Sequence, residues 1–117
     1  MNLPFDAVQL SDRVMGNEEL ARRIVRRFLE DLPHQVVLLE QAVRDGDVPG
    51  VRLIAHAIKG AAAGVGAAEI SAASRTLEQW ARDGDLSAAA DGLREISASF
   101  ERAGPMMESF CQSISQP

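Results

Sequence analysis

Apolar residues recur along this chain at intervals of three and four, the spacing that gives an α-helix one buried face. From residue 18 to about 45 the series is Leu20, Ile24, Phe28, Leu32, Val36, Leu39 and Val43. It predicts a long amphipathic helix, which Pro33 should bend or divide because proline cannot donate to the preceding turn. Ile54, Ile58, Ala61 and Val65 predict a helix over about 48–64, with Pro49 in its first turn, where a missing donor is tolerated. Ile70, Ala73, Leu77 and either Trp80 or Ala81 predict another over about 67–83. The most regular series is Leu86, Ala89, Leu93, Ile96, Phe100 and Ala103. It predicts a helix over about 86–103, which Gly104-Pro105 then interrupts, leaving an extension over 105–117 with a further turn or two and a loose end. A short helix over about 5–15, with Phe5 and Val8 on one side, precedes these four.

The polar punctuation agrees with this division. Gly16 suits the end of the short helix, and Asn17 suits the cap of the next, with Glu18 and Glu19 where the helix dipole favours negative charge. Arg44-Asp45-Gly46-Asp47 and Arg82-Asp83-Gly84-Asp85 repeat one four-residue pattern. In each, glycine fits the left-handed residue that closes a helix and aspartate fits the following N-cap. Gly64-Val65-Gly66 marks the remaining corner. Connections this short make consecutive helices antiparallel. The expected fold class is all-α: an antiparallel up-and-down four-helix bundle, with the short N-terminal helix packed at one end, in a single domain over 1–117.

Composition narrows the partners more than the fold. A net charge of −5 argues against nucleic acid as the main partner. The single cysteine, Cys111, rules out an internal disulfide and fits a reducing compartment, and it has no histidine near it in sequence to make a catalytic thiol. No apolar run approaches the ~20 residues of a membrane span, and no basic start leads into one. The expectation is a soluble, cytoplasmic protein. Arg22, Arg23, Arg26 and Arg27 form one local exception to the acidic balance. They read as a solvated helix face, or as an electrostatic guide for an acidic partner surface.

The candidate chemistry lies in the 48–64 helix. On a helical projection His56 falls almost opposite the apolar side, beside Arg52, Lys59, Gly60 and Ala63. Lys59 is the only lysine in the chain and stands three positions after His56, within reach of the same small group. Gly60, four positions after His56, costs about 1 kcal/mol in a helix interior relative to alanine, and open access to the imidazole is a reason for it. A neutral imidazole nitrogen can take a phosphoryl group from a carboxyl phosphate and return it, and a nearby ammonium disfavours the imidazolium form. His34 has no comparable neighbours and reads as a surface histidine. Neither histidine has a glutamate three positions before it, as a carboxylate-bridged metal site would need. No glycine-rich phosphate loop follows a strand, so self-phosphorylation from ATP is not expected.

The run His56-x-Ile58-Lys59-Gly60-Ala61-Ala62-x-x-Val65-Gly66-Ala67, followed by Ile70 and Leu77-Glu78, resembles the signature of histidine-containing phosphotransfer (HPt) domains. Arg13-x-x-Gly16, Glu18-Glu19, Leu20 and Phe28 extend the resemblance over most of the chain. It implies a phosphorelay intermediate: His56 accepts a phosphoryl group from the aspartyl phosphate of one receiver domain and passes it to the aspartate of another. It implies Glu78 as the partner of the imidazole or its phosphoryl group; the charge of Lys59 suits it to stabilise phosphoryl oxygens, and Arg82, one turn on from Glu78, is either a further candidate for holding them or an ordinary surface arginine. Ala57, Gly60, Ala61 and Gly64 would make a small-residue docking patch. The implied partners are response-regulator receiver domains and a hybrid sensor histidine kinase, the implied state is a monomer, and the chain itself would need no cofactor, any Mg²⁺ belonging to the receiver. From the residues alone, Glu78 could equally be a solvated helix acid paired with Arg75 or Arg82, and a helical adaptor that carries no phosphate is the alternative function.

Overall fold

The computed structural model describes residues 3–113 and is built of helices α1 (Ala7–Arg13), α2 (Glu18–Arg44), α3 (Val48–Val65), α4 (Ala68–Arg82) and α5 (Ala89–Ser113). The last four form an antiparallel up-and-down bundle, in which α2 packs on α3 and α5, and α4 on α3 and α5, and with α1 the molecule measures 50 × 22 × 20 Å. Val25, Leu32, Leu39, Val51, Ile58, Ile70, Leu77, Ile96 and Met107 fill its centre. No helix among the described residues is long and apolar enough to cross a membrane.

The caps fall where the polar residues place them. The Asn17 side chain accepts from the Leu20 amide, and the Asp47 side chain from the Gly50 amide, each at 3.0 Å. The short helix is latched to the α3–α4 corner: the Asp6 amide donates to the Gly66 carbonyl at 2.9 Å, and the Arg13 guanidinium to the Ala63 carbonyl. Gly66 is left-handed there, with φ of 84°, and a Cβ on it would stand 2.7 Å from the Asp6 carbonyl oxygen.

Several expectations need correction. Of the two outcomes expected at Pro33, division does not occur: α2 runs through it, because leucines and valines on both sides continue one buried stripe. Gly104-Pro105 does not interrupt α5, which runs on to Ser113. Met107 and Cys111 keep the apolar register beyond the proline, and their burial outweighs one missing hydrogen bond. Cys111 is accordingly buried, its thiol lying 3.9 Å from the Arg22 carbonyl oxygen. Burial pushes that thiol above its ordinary pKa. Residues 114–117 of the expected extension lie outside the described residues.

Helix α5 also starts later than residue 86. Asp85 accepts from the Ser87 amide, and residues 86–88 turn through i+3 bonds before regular helix begins at Ala89. In α1, Phe5 precedes the helix and Leu10 is the buried residue, whereas Val8 faces solvent. Phe5 meets Phe110 edge to face, ring centroids 5.5 Å apart, so the end of α5 helps hold the chain's start.

Candidate functional site

Helix α3 buries Val51, Ala55, Ile58, Ala62 and Val65, a four-three-four-three series. That series leaves Ala61 exposed, against its expected place on the apolar side. His56, one residue past Ala55, is then turned outward, and its side chain is 64% exposed. On α4 the buried residues include Ser74, Leu77 and Glu78. Two hydroxyls let α4 approach α3 closely: Ser74 donates to its own helix at Ile70, and Ser71 donates to the Lys59 carbonyl at 3.1 Å.

The approach places Glu78 directly under the histidine. His56 Nδ1 lies 2.7 Å from Glu78 Oε2, and Lys59 Nζ lies 2.7 Å from Oε1. Arg82 reaches Oε2 more loosely, at 3.5 Å. The Glu78 side chain is only 6% exposed, but its cover is these cations and the ring, not a thick apolar layer. The hydrogen bond from Lys59 therefore outweighs the cost of burial, and with the contact to His56 it holds the carboxyl below the usual glutamate range. An ionised carboxylate can only accept, so Nδ1 must carry the proton in this contact. That fixes the tautomer and leaves the Nε2 lone pair on the exposed side of the ring. The geometry suits a nucleophile that needs no base to activate it.

The residues singled out in the sequence thus divide into two groups. His56, Lys59, Glu78 and Arg82 meet in one constellation. Of the second alternative for Glu78, the solvation is not found, whereas the pairing with Arg82 is, at 3.5 Å. Ala57, Gly60, Ala61 and Gly64 lie on the exposed side of α3, and nothing would stand within 4 Å of a Cβ at Gly60 or Gly64. Beside Ala61 and Gly64 an apolar groove of about 570 Å³ opens between α2 and α3, floored by Leu20, Ile24, Phe28 and Val65 and edged by Arg23 and Arg27. Two members of the arginine cluster therefore border the small-residue patch, and Arg27 is braced by Asp31 at 2.7 Å. A second hollow, beside the imidazole, is lined by Pro49, Arg52, Leu53, His56, Glu78 and Arg82. For Pro49, Arg52 and Leu53 the sequence reading offers no role in the chemistry, although Arg52 stands four positions before His56 and so on its face. His34 is exposed on α2.

Comparison with known proteins agrees with the geometry. The profile of the Hpt domain family matches residues 23–104. The chain belongs to the Hpt family. Among solved structures, histidine-containing phosphotransfer protein B (HptB) from Pseudomonas aeruginosa PAO1 has the same fold, with a TM-score of 0.88 at 23% identity over 94% of this chain and 96% of that one. A search of curated proteins finds no match. Hpt domains are phosphotransfer carriers of phosphorelays, and they work with receiver domains and kinases. In this Hpt domain His56 is exposed and is backed by Glu78.

Proposed function

We propose that the domain is a phosphorelay intermediate in which Nε2 of His56 takes a phosphoryl group from the aspartyl phosphate of one receiver domain and delivers it to the aspartate of another. The Nε2–P bond forms as the P–O bond to the aspartyl carboxylate breaks, and the electron pair leaves with that carboxylate. The proton stays on Nδ1, so the phosphorylated ring is cationic, and Glu78, 2.7 Å away, balances it. Delivery runs the same bonds in reverse. Lys59 keeps Glu78 ionised and adds positive charge to the site. The docking face combines Ala57, Gly60, Ala61 and Gly64 with the neighbouring groove, and Arg23 and Arg27 steer an acidic receiver surface towards it. The domain is read as a cytoplasmic monomer without kinase activity or a cofactor of its own, served by a hybrid sensor kinase. Mg²⁺ belongs to the receiver.

One observation carries this reading: an imidazole whose inner nitrogen is held by a buried carboxylate while the ring stays open to solvent. The test is transfer from a receiver domain charged with radiolabelled acetyl phosphate. Acid-labile, base-stable label should appear on the wild-type domain and be absent from His56→Gln, with both proteins equally helical by circular dichroism. Label on the domain that survives the substitution would refute the assignment to His56.

A further inference from the structure

Lys59 and Arg82 are the cations that the sequence sets beside the phosphoryl group, yet both are engaged with Glu78. Lys59 is the more committed, with its side chain 30% exposed and Nζ 2.7 Å from Oε1, and it does not line the hollow beside the imidazole. Arg52 does line it. Its guanidinium makes no ion pair or hydrogen bond among the described residues, and the residue is exposed. Helical side chains lean towards the N-terminus of their helix, over the preceding turn. The imidazole therefore inclines towards the turn that bears Arg52 and Leu53, away from Gly60. Helix α4 is antiparallel to α3, so Arg82 comes to the same end of the site. The hollow, about 400 Å³, has room for a phosphoryl group.

From this arrangement we infer that Arg52 is the residue that directly binds the phosphoryl oxygens on His56, while Lys59 acts through Glu78 as a positioning residue. The inference rests on the phosphorelay reading and adds the contact that reading lacks. A planar fork of N–H donors matches two phosphoryl oxygens in a fixed bidentate geometry, whereas an ammonium acts as a point charge. Arg52 is also free to move without breaking any contact of the resting site. In the unphosphorylated domain it is unengaged, and the Glu78 network need not be dismantled when the group arrives.

The test loads the purified domain with phosphoramidate, whose P–N bond breaks as the Nε2–P bond forms, with ammonia leaving. Phosphorus NMR then follows the second ionisation of the bound phosphoryl group against pH, with His56→Gln as the baseline for any signal from His34. A guanidinium in contact favours the dianion, so Arg52→Ala should raise the titration midpoint by about half a unit, a modest value for an exposed pair. Arg52→Lys should restore part of the shift, and Lys59→Ala should move the midpoint less than Arg52→Ala. A midpoint unchanged in Arg52→Ala, or moved more by Lys59→Ala, overturns the assignment of Arg52. A wild-type domain that loads no more than His56→Gln overturns the phosphorelay reading itself.

Discussion

Glu78 sits on a helix between Arg75 and Arg82, and it spends both of its oxygens on another helix: one holds the imidazole, the other the single lysine. Glu78→Gln keeps the shape and removes the charge. A hydrogen bond to a charged group contributes about 1.5 kcal/mol or more, so loading of His56 should slow about tenfold. Nitrogen NMR should show the His56 tautomer losing its bias towards protonated Nδ1. The acid limit has a definite sign. Because folding lowers the carboxyl below its ordinary value of 4.5, the contact stabilises the fold above that pH. This contribution fades as pH falls through the depressed folded value. Denaturation midpoints of wild type and Glu78→Gln should therefore converge in strong acid and separate above pH 4.5.

On the scale of helices, two glycines of α3 and its corner predict opposite outcomes. Gly60 lies inside regular helix with open space around it, so Gly60→Ala should stabilise the domain by about 0.5–1 kcal/mol while impairing transfer from a receiver. Gly66 combines a left-handed backbone with the close Asp6 carbonyl, and Gly66→Ala should cost about 1–3 kcal/mol. Urea denaturation beside a transfer assay separates the two effects. Elements were legible where their apolar spacing was regular and their caps polar, as at Asn17 and Asp47. The reading failed where distant burial overruled a local signal. Pro33 and Pro105 look like breaks, but the stripes on both sides of each are continuous in the bundle. Ala61 looked buried because Ile54, only half-buried, draws the projected face away from Val51, Ala55 and Ala62, which set the true face of α3.

For the molecule as a whole, most of the candidate site was visible in one run of twelve residues, because a helix makes spacing into geometry. The burial of Glu78 was not, since it depends on how closely α4 leans on α3. Ser71 and Ser74 were the only hint of that approach. The charge pattern has a matching large-scale consequence. A domain of net charge −5 turns Arg23 and Arg27 towards its docking groove, so an acidic partner must be drawn in locally against an unfavourable overall field. Replacing both with glutamate should weaken receiver binding about tenfold or more near 50 mM salt. The difference should shrink by 500 mM, as titration calorimetry at the two concentrations would show.

The rod displays one carboxylate-backed imidazole, partway along a single flank. In the relay reading, donor and recipient must then stand in the same spot by turns, because His34 has no such backing and no second site of this kind stands among the described residues to hand the cargo across while both are seated. Traffic is thus ping-pong in form, and its ceiling is the departure of the first visitor. A regulator that clings too well would choke the line as effectively as one that never arrives.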